Sequence, residues 1–440
     1  MKMKSLALLL ALGTALRVCG QENRHDSTQV VCTTDITHFW EAFDSARTTR
    51  DSLRQLFFIK TLYIDRGTPG LKAFMEARDY SAEGWVHAIR SYPKFWASVR
   101  PNTLTIAVKA PQIEASVRHF RELYPALRDA KMYFTIGCLR SGGTTTDNMV
   151  LIGAEIATGD STTDVSEFPD HWLQGVFSHQ NQGYVVPLNV HEYVHTQQTG
   201  MDHASDLLGQ CVAEGGADFV AELVTGIPLK SVYITYGEAH DAELKERFKK
   251  AMFEPYMGDW LYTGARSKLG APDLGYYMGY ALCTAYYRNA ADKKQAIADI
   301  ITFDEQDSAG TLRFVTRSGY FGGPVDRQAL KSDFERQQPW VKSLSPIQPG
   351  DTTADPSVQV MTITFSEPMT PGAYSVRRTE HGRPPKMSDL TFSSDNTVLT
   401  VKVHLEPGTT YDFLLSGLGF RSAKGYPLKD YPVSFRTRSL

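Results

Sequence analysis

Several features that would point to a particular class of protein are missing from this sequence. The 440 residues carry a formal net charge of −3, so neither nucleic acid nor an anionic membrane surface is indicated as a partner. Beyond the N-terminal segment, no apolar run approaches the roughly 20 residues of a transmembrane helix, and none is predicted. The chain has no Asn-x-Ser/Thr glycosylation sequon, which mildly favours a bacterial source.

Cysteine is also scarce, with five in the whole chain. One of them, Cys19, lies in the N-terminal segment. The other four are Cys32, Cys138, Cys211 and Cys283. After export they could form disulfides, in any of three pairings that the sequence does not rank. Four buried free thiols are an equally good interpretation.

The first twenty residues have the pattern of a signal peptide. Two lysines precede the apolar run 5–16, and small residues follow at the positions that a signal peptidase recognises. This predicts cleavage between Gly20 and Gln21. The alternative is lipid attachment at Cys19, for which the residues just before the cysteine are a poorer match. Both interpretations predict an exported protein that is periplasmic, secreted or on the cell surface.

The stretch HEYVH that begins at His191 follows the H-E-x-x-H pattern. On an α-helix, residues four apart lie on one face, so His191 and His195 can both face one metal ion. Glu192 can then reach a metal-bound water. Pro187 suits the first turn of such a helix and Gly200 suits its end. The alternative is a pair of core histidines beside a surface glutamate, which requires the spacing to be accidental.

A second predicted helix supplies a third ligand. Apolar spacing indicates a helix from about 207 to 224, ended by Gly226, which contains Glu214 and, one turn later, Asp218. Two imidazoles and one carboxylate leave the fourth position of a tetrahedral zinc ion open, as catalytic zinc requires. The sequence therefore predicts Zn²⁺ held by both histidines of the motif and by Glu214. Asp218 could fix the tautomer of a liganding histidine, and a surface salt bridge is its alternative role.

Hydrolysis at such a site needs a base and a hydrogen-bond donor for the oxyanion. Glu192 would take a proton from zinc-activated water and pass it to the leaving amine. For the oxyanion, the candidates are the phenols of a tyrosine-dense predicted helix, Tyr276, Tyr277 and Tyr280, with Tyr277 and Tyr280 favoured. The alternative is that this tyrosine stripe only packs the core.

The region before the motif is predicted to be helical and then to contain strands. Residues 35–130 have apolar positions at helical spacing, with the run 103–108 undecided between a strand and a helical turn. Strand-like runs follow at 132–138 and 149–156, separated by turn formers, which predicts an antiparallel pair. An edge strand beside the metal helix could bind an extended peptide by strand addition. An ordinary core hairpin is the alternative.

The composition changes near Trp340. A stretch rich in Pro, Gly, Ser and Thr at 343–356 is followed by segments that alternate apolar and polar residues. The clearest predicted strands are 358–365, 397–403, 410–415 and 433–437. Short strands at this spacing predict an all-β sandwich of about ninety residues.

The metal-binding motifs resemble a known group of enzymes. HEYVH at 191–195 followed by EGGAD at 214–218 is similar to the gluzincin pattern of zinc metallopeptidases. That resemblance implies a glutamate as third ligand and an aspartate behind a histidine. More narrowly, residues 35–340 resemble the predicted zinc-dependent protease group related to the gliding-motility lipoprotein GldB. The segments that carry this likeness are SGGT at 141–144, IGAE at 152–155, HEYVHTQQ at 191–198, EGGADF at 214–219 and GYYMGY at 275–280.

The C-terminal region separately resembles bacterial Ig-like domains of exported proteins. The segments concerned are ITFSEPM at 363–369, LTV at 399–401, LEPGTTY at 405–411 and VSFRT at 433–437. The resemblance implies a spacer or a binding module, without a catalytic role.

Together, these features predict an α+β protein. A signal peptide at 1–20 precedes a mostly helical zincin-like domain at 21–340 with a small antiparallel or mixed sheet, and an all-β Ig-like sandwich follows at 345–440. The expected function is hydrolysis of a peptide or protein substrate by a secreted or periplasmic zinc metallopeptidase, with the Ig-like domain free to contact a cell-surface or extracellular partner. The rival hypothesis is a non-catalytic cell-envelope protein that uses the same folds for adhesion or assembly.

Overall fold

The computed structural model describes residues 29–439 apart from 147, 181, 199–205, 265, 266 and 268. The predicted signal peptide, Cys19 and Gly200 therefore lie outside the described residues. Within these ranges, helices are combined with small sheets, in agreement with the predicted α+β class. None of the described helices is long and apolar enough to cross a membrane.

The N-terminal part of the described chain is helical, as the sequence predicts. Its helices are α1 (Thr34–Arg47), α2 (Ser52–Phe58, continued by π-helical turns at Ile59–Ile64), α3 (Pro69–Arg78), α4 (Ala82–Ser91), α5 (Pro93–Leu104) and α6 (Ile106–Leu123). Asp51, Thr68 and Ser81 each accept a hydrogen bond from a first-turn N–H of the helix that follows. These caps satisfy donors that a helix leaves unpaired. The undecided run 103–108 is helical, since α5 ends within it and α6 begins within it.

The predicted antiparallel strand pair is wrong. The first sheet has the order β1-β2-β4-β3, with β1 (Val31–Cys32), β2 (Lys131–Thr135), β3 (Gly143–Thr146) and β4 (Met149–Gly153). β2 and β4 are parallel, and β3 is the antiparallel partner of β4. The stretch marked by turn formers contains β3 itself, because its threonines favour a strand. β3 is an edge strand of this sheet.

The connection from β2 to β3 is held by one buried side chain, that of Glu155. Residues 136–142 carry the chain past the end of β4 to reach β3. Glu155, just beyond β4, accepts hydrogen bonds there from the N–H groups of Gly137 at 2.9 Å and Leu139 at 3.3 Å. Buried backbone donors must be satisfied, and this side chain satisfies two of them. Sequence periodicity contains no information about such a partner.

Both predicted metal-binding helices are present, but the first ends at His195, before the predicted stop at Gly200. The helices of this part are α7 (Ala154–Ala157), α8 (Trp172–His179), α9 (Val185–His195) and α10 (Leu207–Thr225). The side chain of Asp206 accepts from Gly209 N and caps α10, and Gly226 ends it with a left-handed φ of 68°, a common helix stop. The predicted bounds of the second helix are confirmed.

In the described part of the chain, five more helices follow α10, and α12 is the one that packs most closely against it. They are α11 (Val232–Ala251, kinked at His240), α12 (Leu274–Asn289), α13 (Lys293–Ile301), α14 (Ser308–Ser318) and α15 (Arg327–Gln337). A Cβ atom built on Gly279 of α12 would lie 1.6 Å from the carbonyl oxygen of Cys211 in α10. The two backbones therefore touch, and only glycine permits that approach. This contact sets how α12 is rotated about its axis.

The C-terminal region consists of strands, as predicted. They are β5 (Val341–Ser345), β6 (Val360–Phe365), β7 (Val376–Arg378), β8 (Lys386–Phe392), β9 (Val398–His404), β10 (Thr410–Leu415) and β11 (Tyr431–Arg436). They form one sheet of order β5-β6-β9-β8 and another of order β11-β10-β7. Both sheets contribute to one apolar cluster, whose members run in sequence from Val341 to Phe435. It is distinct from the large cluster whose members run from Val31 to Val325. The division into domains near residue 340 stays a prediction.

The four described cysteines are free thiols. Cys138, Cys211 and Cys283 are buried, and burial raises the pKa of each thiol. A raised thiol pKa disfavours the reactive thiolate. The structure thus agrees with free thiols, but the interpretation as four buried ones is wrong for Cys32, which is only partly buried.

Candidate metal centre

Helix α9 places both motif histidines on one face. Their Nε2 atoms lie 3.0 Å apart, and the two rings are nearly perpendicular, at 89°. His191 is buried, with an exposed fraction of 7%, and His195 is partly buried. The i, i+4 spacing thus brings two imidazoles to one point, as the sequence predicts.

Helix α10 brings the third predicted ligand to the same point. Glu214 Oε2 lies 3.5 Å from His191 Nε2 and 3.4 Å from His195 Nε2. Zinc–ligand distances of about 2.0–2.1 Å in a tetrahedron place the ligand atoms about 3.3 Å from one another. The observed triangle has edges of 3.0, 3.4 and 3.5 Å. Its size fits a zinc ion.

The outer hydrogen bonds of the histidines determine their tautomers. His191 Nδ1 lies 2.8 Å from Asp218 Oδ1, and His195 Nδ1 lies 2.7 Å from Gln198 Oε1. The Gln198 amide is oriented by its Nε2, which donates to the Ala213 carbonyl at 2.8 Å. Both outer partners accept, so each Nδ1 carries a proton, and Nε2 is the nitrogen of each ring that can present a lone pair to a metal ion.

Three electron-rich atoms therefore converge in a buried place. Burial lowers the pKa of His191, but the neighbouring carboxylates, Asp218 first, outweigh burial and hold that pKa well above its usual value. Burial raises the pKa of Glu214, but its contacts with the two histidines outweigh burial and hold it well below its usual value. The site stabilises positive charge, which either a proton or a metal ion can supply. The chemistry of the donor set matches Zn²⁺.

The predicted base lies beside this centre and contacts the edge strand. Thr145 Oγ1 in β3 donates to Glu192 Oε2 at 3.3 Å. Glu192 is partly buried and is not one of the residues whose ligand atoms converge. Its charge contributes to the raised pKa of His191, so the carboxylate lies near that ring.

The favoured tyrosines do not face the centre. The Tyr277 hydroxyl donates to Asp241 at 2.8 Å, and the Tyr280 hydroxyl donates to Glu222 at 2.9 Å. Each phenol is engaged with a carboxylate that is not a predicted ligand, so the structure does not support their predicted role as oxyanion donors. The packing of α12 on α10 turns Tyr276 toward the site instead. Its ring stacks on that of His191, with centroids 6.4 Å apart and an interplanar angle of 22°.

Sequence reasoning missed several residues around the ligands. The Tyr233 hydroxyl donates to Asp218 Oδ2 at 2.9 Å, and the Tyr262 hydroxyl donates to Glu214 Oε1 at 2.9 Å. Gln198 could have been found from the sequence, since it lies three residues after His195, within reach on a helical turn. Neither tyrosine has such a signal, because both come from distant segments that folding brings to the centre.

Comparisons with known proteins do not identify a family. No protein-family model matches the chain, and no curated protein matches it. The chain is similar to the crystal structure of the S-layer protein rSbsC(31-844), with 14% identity, 60% of this chain and 36% of that chain covered, and a TM-score of 0.18. The N-terminal part of the bacterial S-layer protein SbsC gives the same identity and TM-score, with 60% and 62% covered. The chain thus spans little more than a third of the first structure. Such TM-scores do not indicate a shared fold.

Proposed function

We propose that this chain is a zinc-dependent metallopeptidase of the gluzincin type. One observation carries the proposal: one potential ligand atom from each of His191, His195 and Glu214 converges in a triangle with edges of 3.0–3.5 Å. Three protein ligands are typical of catalytic zinc, whereas structural zinc is held by four. The neighbouring Glu192 adds a base for which a structural site has no use.

Several residues of the chain would have separate roles in hydrolysis. When bound, zinc would supply an acidic water and polarise the substrate carbonyl. Glu192 would accept the proton of that water and return it to the leaving amine. Asp218 and Gln198 would hold the two imidazoles in the ligating tautomer throughout. Tyr276, whose ring stacks on that of His191, would donate a hydrogen bond to the oxyanion.

The edge strand favours an extended peptide as the substrate. β3 pairs with β4 on one side, and its Thr145 contacts Glu192. A peptide that added to the free side of β3 would lie next to the proposed base. Backbone pairing of this kind selects for extended conformation more than for side-chain identity. It leaves cleavage preference to pockets along the strand.

The N-terminal and C-terminal parts of the chain add to the proposal an exported enzyme with an accessory region. The N-terminal pattern supports export to the periplasm, the cell surface or the medium, and the motif likeness supports a relation to the GldB-related protease group. The C-terminal strands would form an Ig-like sandwich that contacts a partner outside the cell. These are parts of the same proposal.

Metal analysis and one substitution test the proposed function. The purified full chain should contain about one zinc per chain and cleave unstructured peptides. Glu192→Gln should retain the zinc and lower kcat by at least about 100-fold, since it removes the general base. Glu243→Gln on the exposed face of α11 is the matched control and should cleave at the wild-type rate. Absence of stoichiometric zinc, or equal hydrolysis by Glu192→Gln and wild type, would refute the peptidase.

The rival hypothesis predicts a different pattern. A non-catalytic envelope protein would restore a deletion strain's phenotype when it carries His191→Ala. A peptidase would not, because that substitution removes a metal ligand. The two hypotheses are thus separated by one complementation assay with a protein-level check by immunoblot.

A further inference from the structure

The segment 252–264, which follows α11, is hydrogen-bonded to the start of α10. Leu207 N donates to the Glu254 carbonyl at 2.8 Å, and Leu208 N donates to the Met252 carbonyl at 2.7 Å. These amides are among the first-turn donors that a helix cannot satisfy itself. The segment therefore belongs to the architecture of the helix that carries Glu214.

One residue of this segment holds the ligand carboxylate. The Tyr262 hydroxyl donates to Glu214 Oε1 at 2.9 Å and accepts from Gln210 Nε2 at 3.0 Å. Because Oε1 is engaged in this way, Oε2 faces the two histidines. The side chain of Tyr262 cannot be held by burial, since 56% of the residue is exposed. Its φ of 58° is the left-handed conformation, which a tyrosine adopts only where its surroundings impose it.

Arg421 of the C-terminal β-rich region contacts this segment. Arg421 Nη1 donates to Asp259 Oδ2 at 2.7 Å, and its guanidinium lies 3.8 Å from the ring centroid of Tyr256. Arg421 is only 7% exposed, and burial lowers its pKa to about 10, so it is still charged at neutral pH. The arginine is thus held by an ion pair with a partly buried carboxylate and by a cation–π contact.

The arginine itself is fixed within the β-rich region. Its carbonyl accepts from Thr370 N at 2.8 Å, and it pairs with Pro427 in an isolated β-bridge. Its ion-pair partner Asp259 lies three residues before Tyr262. Arg421 is thus linked to Asp259 by an ion pair, Asp259 to Tyr262 by three residues of backbone, and Tyr262 to Oε1 of Glu214 by a hydrogen bond.

We propose that Arg421 is a positioning residue for the metal centre, which acts through the segment 252–264 and its Tyr262 on the ligand Glu214. This rests on the proposed function, because it takes Glu214 to be a zinc ligand. The C-terminal region is then more than a spacer. It completes the shell that keeps Glu214 ligating through one oxygen.

Zinc affinity and the cobalt spectrum of the full-length protein test this coupling. Tyr262→Phe should weaken zinc binding about 10-fold in chelator competition, as loss of a partner behind a ligand does. Arg421→Met should weaken it roughly 3- to 10-fold, and the double variant should be no weaker than Tyr262→Phe alone. Both single variants should change the visible d–d bands of the Co²⁺-substituted protein. Arg383→Met, which breaks an ion pair with Glu406 inside the β-rich region, is the matched control and should change neither property.

A metal-independent measurement follows the same path. Hydrogen exchange at the amides of 257–264 should be faster in Arg421→Met than in wild type or Arg383→Met, and Arg421→Lys should restore part of the protection because it keeps the charge opposite Asp259. Wild-type zinc affinity and spectrum in Arg421→Met would overturn the proposal. Additive losses in the double variant would also overturn it, since Arg421 would then act by another route. Zinc binding with this coupling but without hydrolysis would refute only the peptidase, whereas a wild-type chain that binds no zinc would refute both.

Discussion

His191 Nδ1 lies 2.8 Å from Asp218 Oδ1, and this contact decides which nitrogen of His191 faces the metal position. A carboxylate can only accept, so Nδ1 must carry the proton and Nε2 must present its lone pair. Asp218 is itself oriented, because its other oxygen accepts from the Tyr233 hydroxyl at 2.9 Å. One buried carboxylate thus fixes a ligand's tautomer and ring orientation together.

Asp218→Asn should weaken zinc binding by about 10- to 100-fold, the usual effect of removing a partner behind a liganding histidine. The amide keeps the size of the side chain but removes its charge. Its NH₂ group is also a donor, whereas both oxygens of Asp218 accept hydrogen bonds, one from His191 and one from Tyr233. Chelator competition measures the loss. Asp299→Asn is the control, since that aspartate also accepts from a tyrosine hydroxyl, that of Tyr286, but lies outside the ligand cluster. Equal affinities in the two variants would contradict the role given to Asp218.

Zinc binding should release a proton. The raised pKa of His191 means that the metal-free site holds a proton there at pH values where a free imidazole would already have lost it, and zinc must displace it. The apparent affinity should therefore fall as the pH decreases below that pKa, by up to about tenfold per pH unit for one proton. Titration calorimetry in buffers of different ionisation enthalpy measures the number of protons released. A binding enthalpy that is the same in every buffer would rule this linkage out.

The convergence of the proposed ligands could be predicted because it depends largely on helical periodicity. The spacing of His191 and His195 needs only a helix, and α10 is bounded by a residue-level stop signal at Gly226. The strand pairing could not be predicted in the same way. Which strands become neighbours in a sheet is set by tertiary contacts. Here residues 136–142 carry the chain past β4, and buried Glu155 accepts hydrogen bonds from two of their N–H groups.

For the tyrosines of α12, too, the sequence could not show which one faces the proposed metal centre. Helical periodicity indicates which residues of α12 share a face, but not which face meets the metal. That choice follows from the backbone contact of Gly279 with α10, which turns Tyr276 inward. Tyr262 was out of reach for a different reason: it lies in an irregular segment whose conformation is imposed by residues far away in sequence.

Tyr277→Phe and Tyr280→Phe should each leave kcat/KM for peptide hydrolysis within about threefold of wild type, because each hydroxyl serves a carboxylate outside the ligand cluster. A loss of one hydrogen bond to a charged group costs about 1.5–3 kcal/mol of stability at most. The effect should therefore appear in the unfolding free energy and not in the rate. A 100-fold fall in kcat in either variant would restore the original assignment of these phenols.

Gly279→Ala should destabilise the protein strongly, while Gly175→Ala should not. The added methyl group at 279 would lie 1.6 Å from a carbonyl oxygen of α10, so the two helices must separate, at a cost of at least about 1–3 kcal/mol. At Gly175 in α8 no heavy atom lies within 4 Å of the new carbon, and alanine should stabilise the helix by about 0.5–1 kcal/mol. Urea denaturation of both variants measures the difference. Similar midpoints would show that α10 and α12 do not pack this closely.

Glu155 should make the fold less stable as the pH rises from about 4.5 to 7. Burial is the largest cause of its shift and raises its pKa from 4.5 to about 7, so the folded protein favours the protonated form. That contribution is complete below the unfolded pKa and is lost as the pH passes the folded pKa, a change on the order of 3 kcal/mol. Glu155→Gln cannot titrate, so its unfolding free energy should depend less on pH over this interval than that of wild type or the surface control Glu243→Gln. Parallel curves of unfolding free energy against pH for all three proteins would show that Glu155 contributes no linkage of this kind.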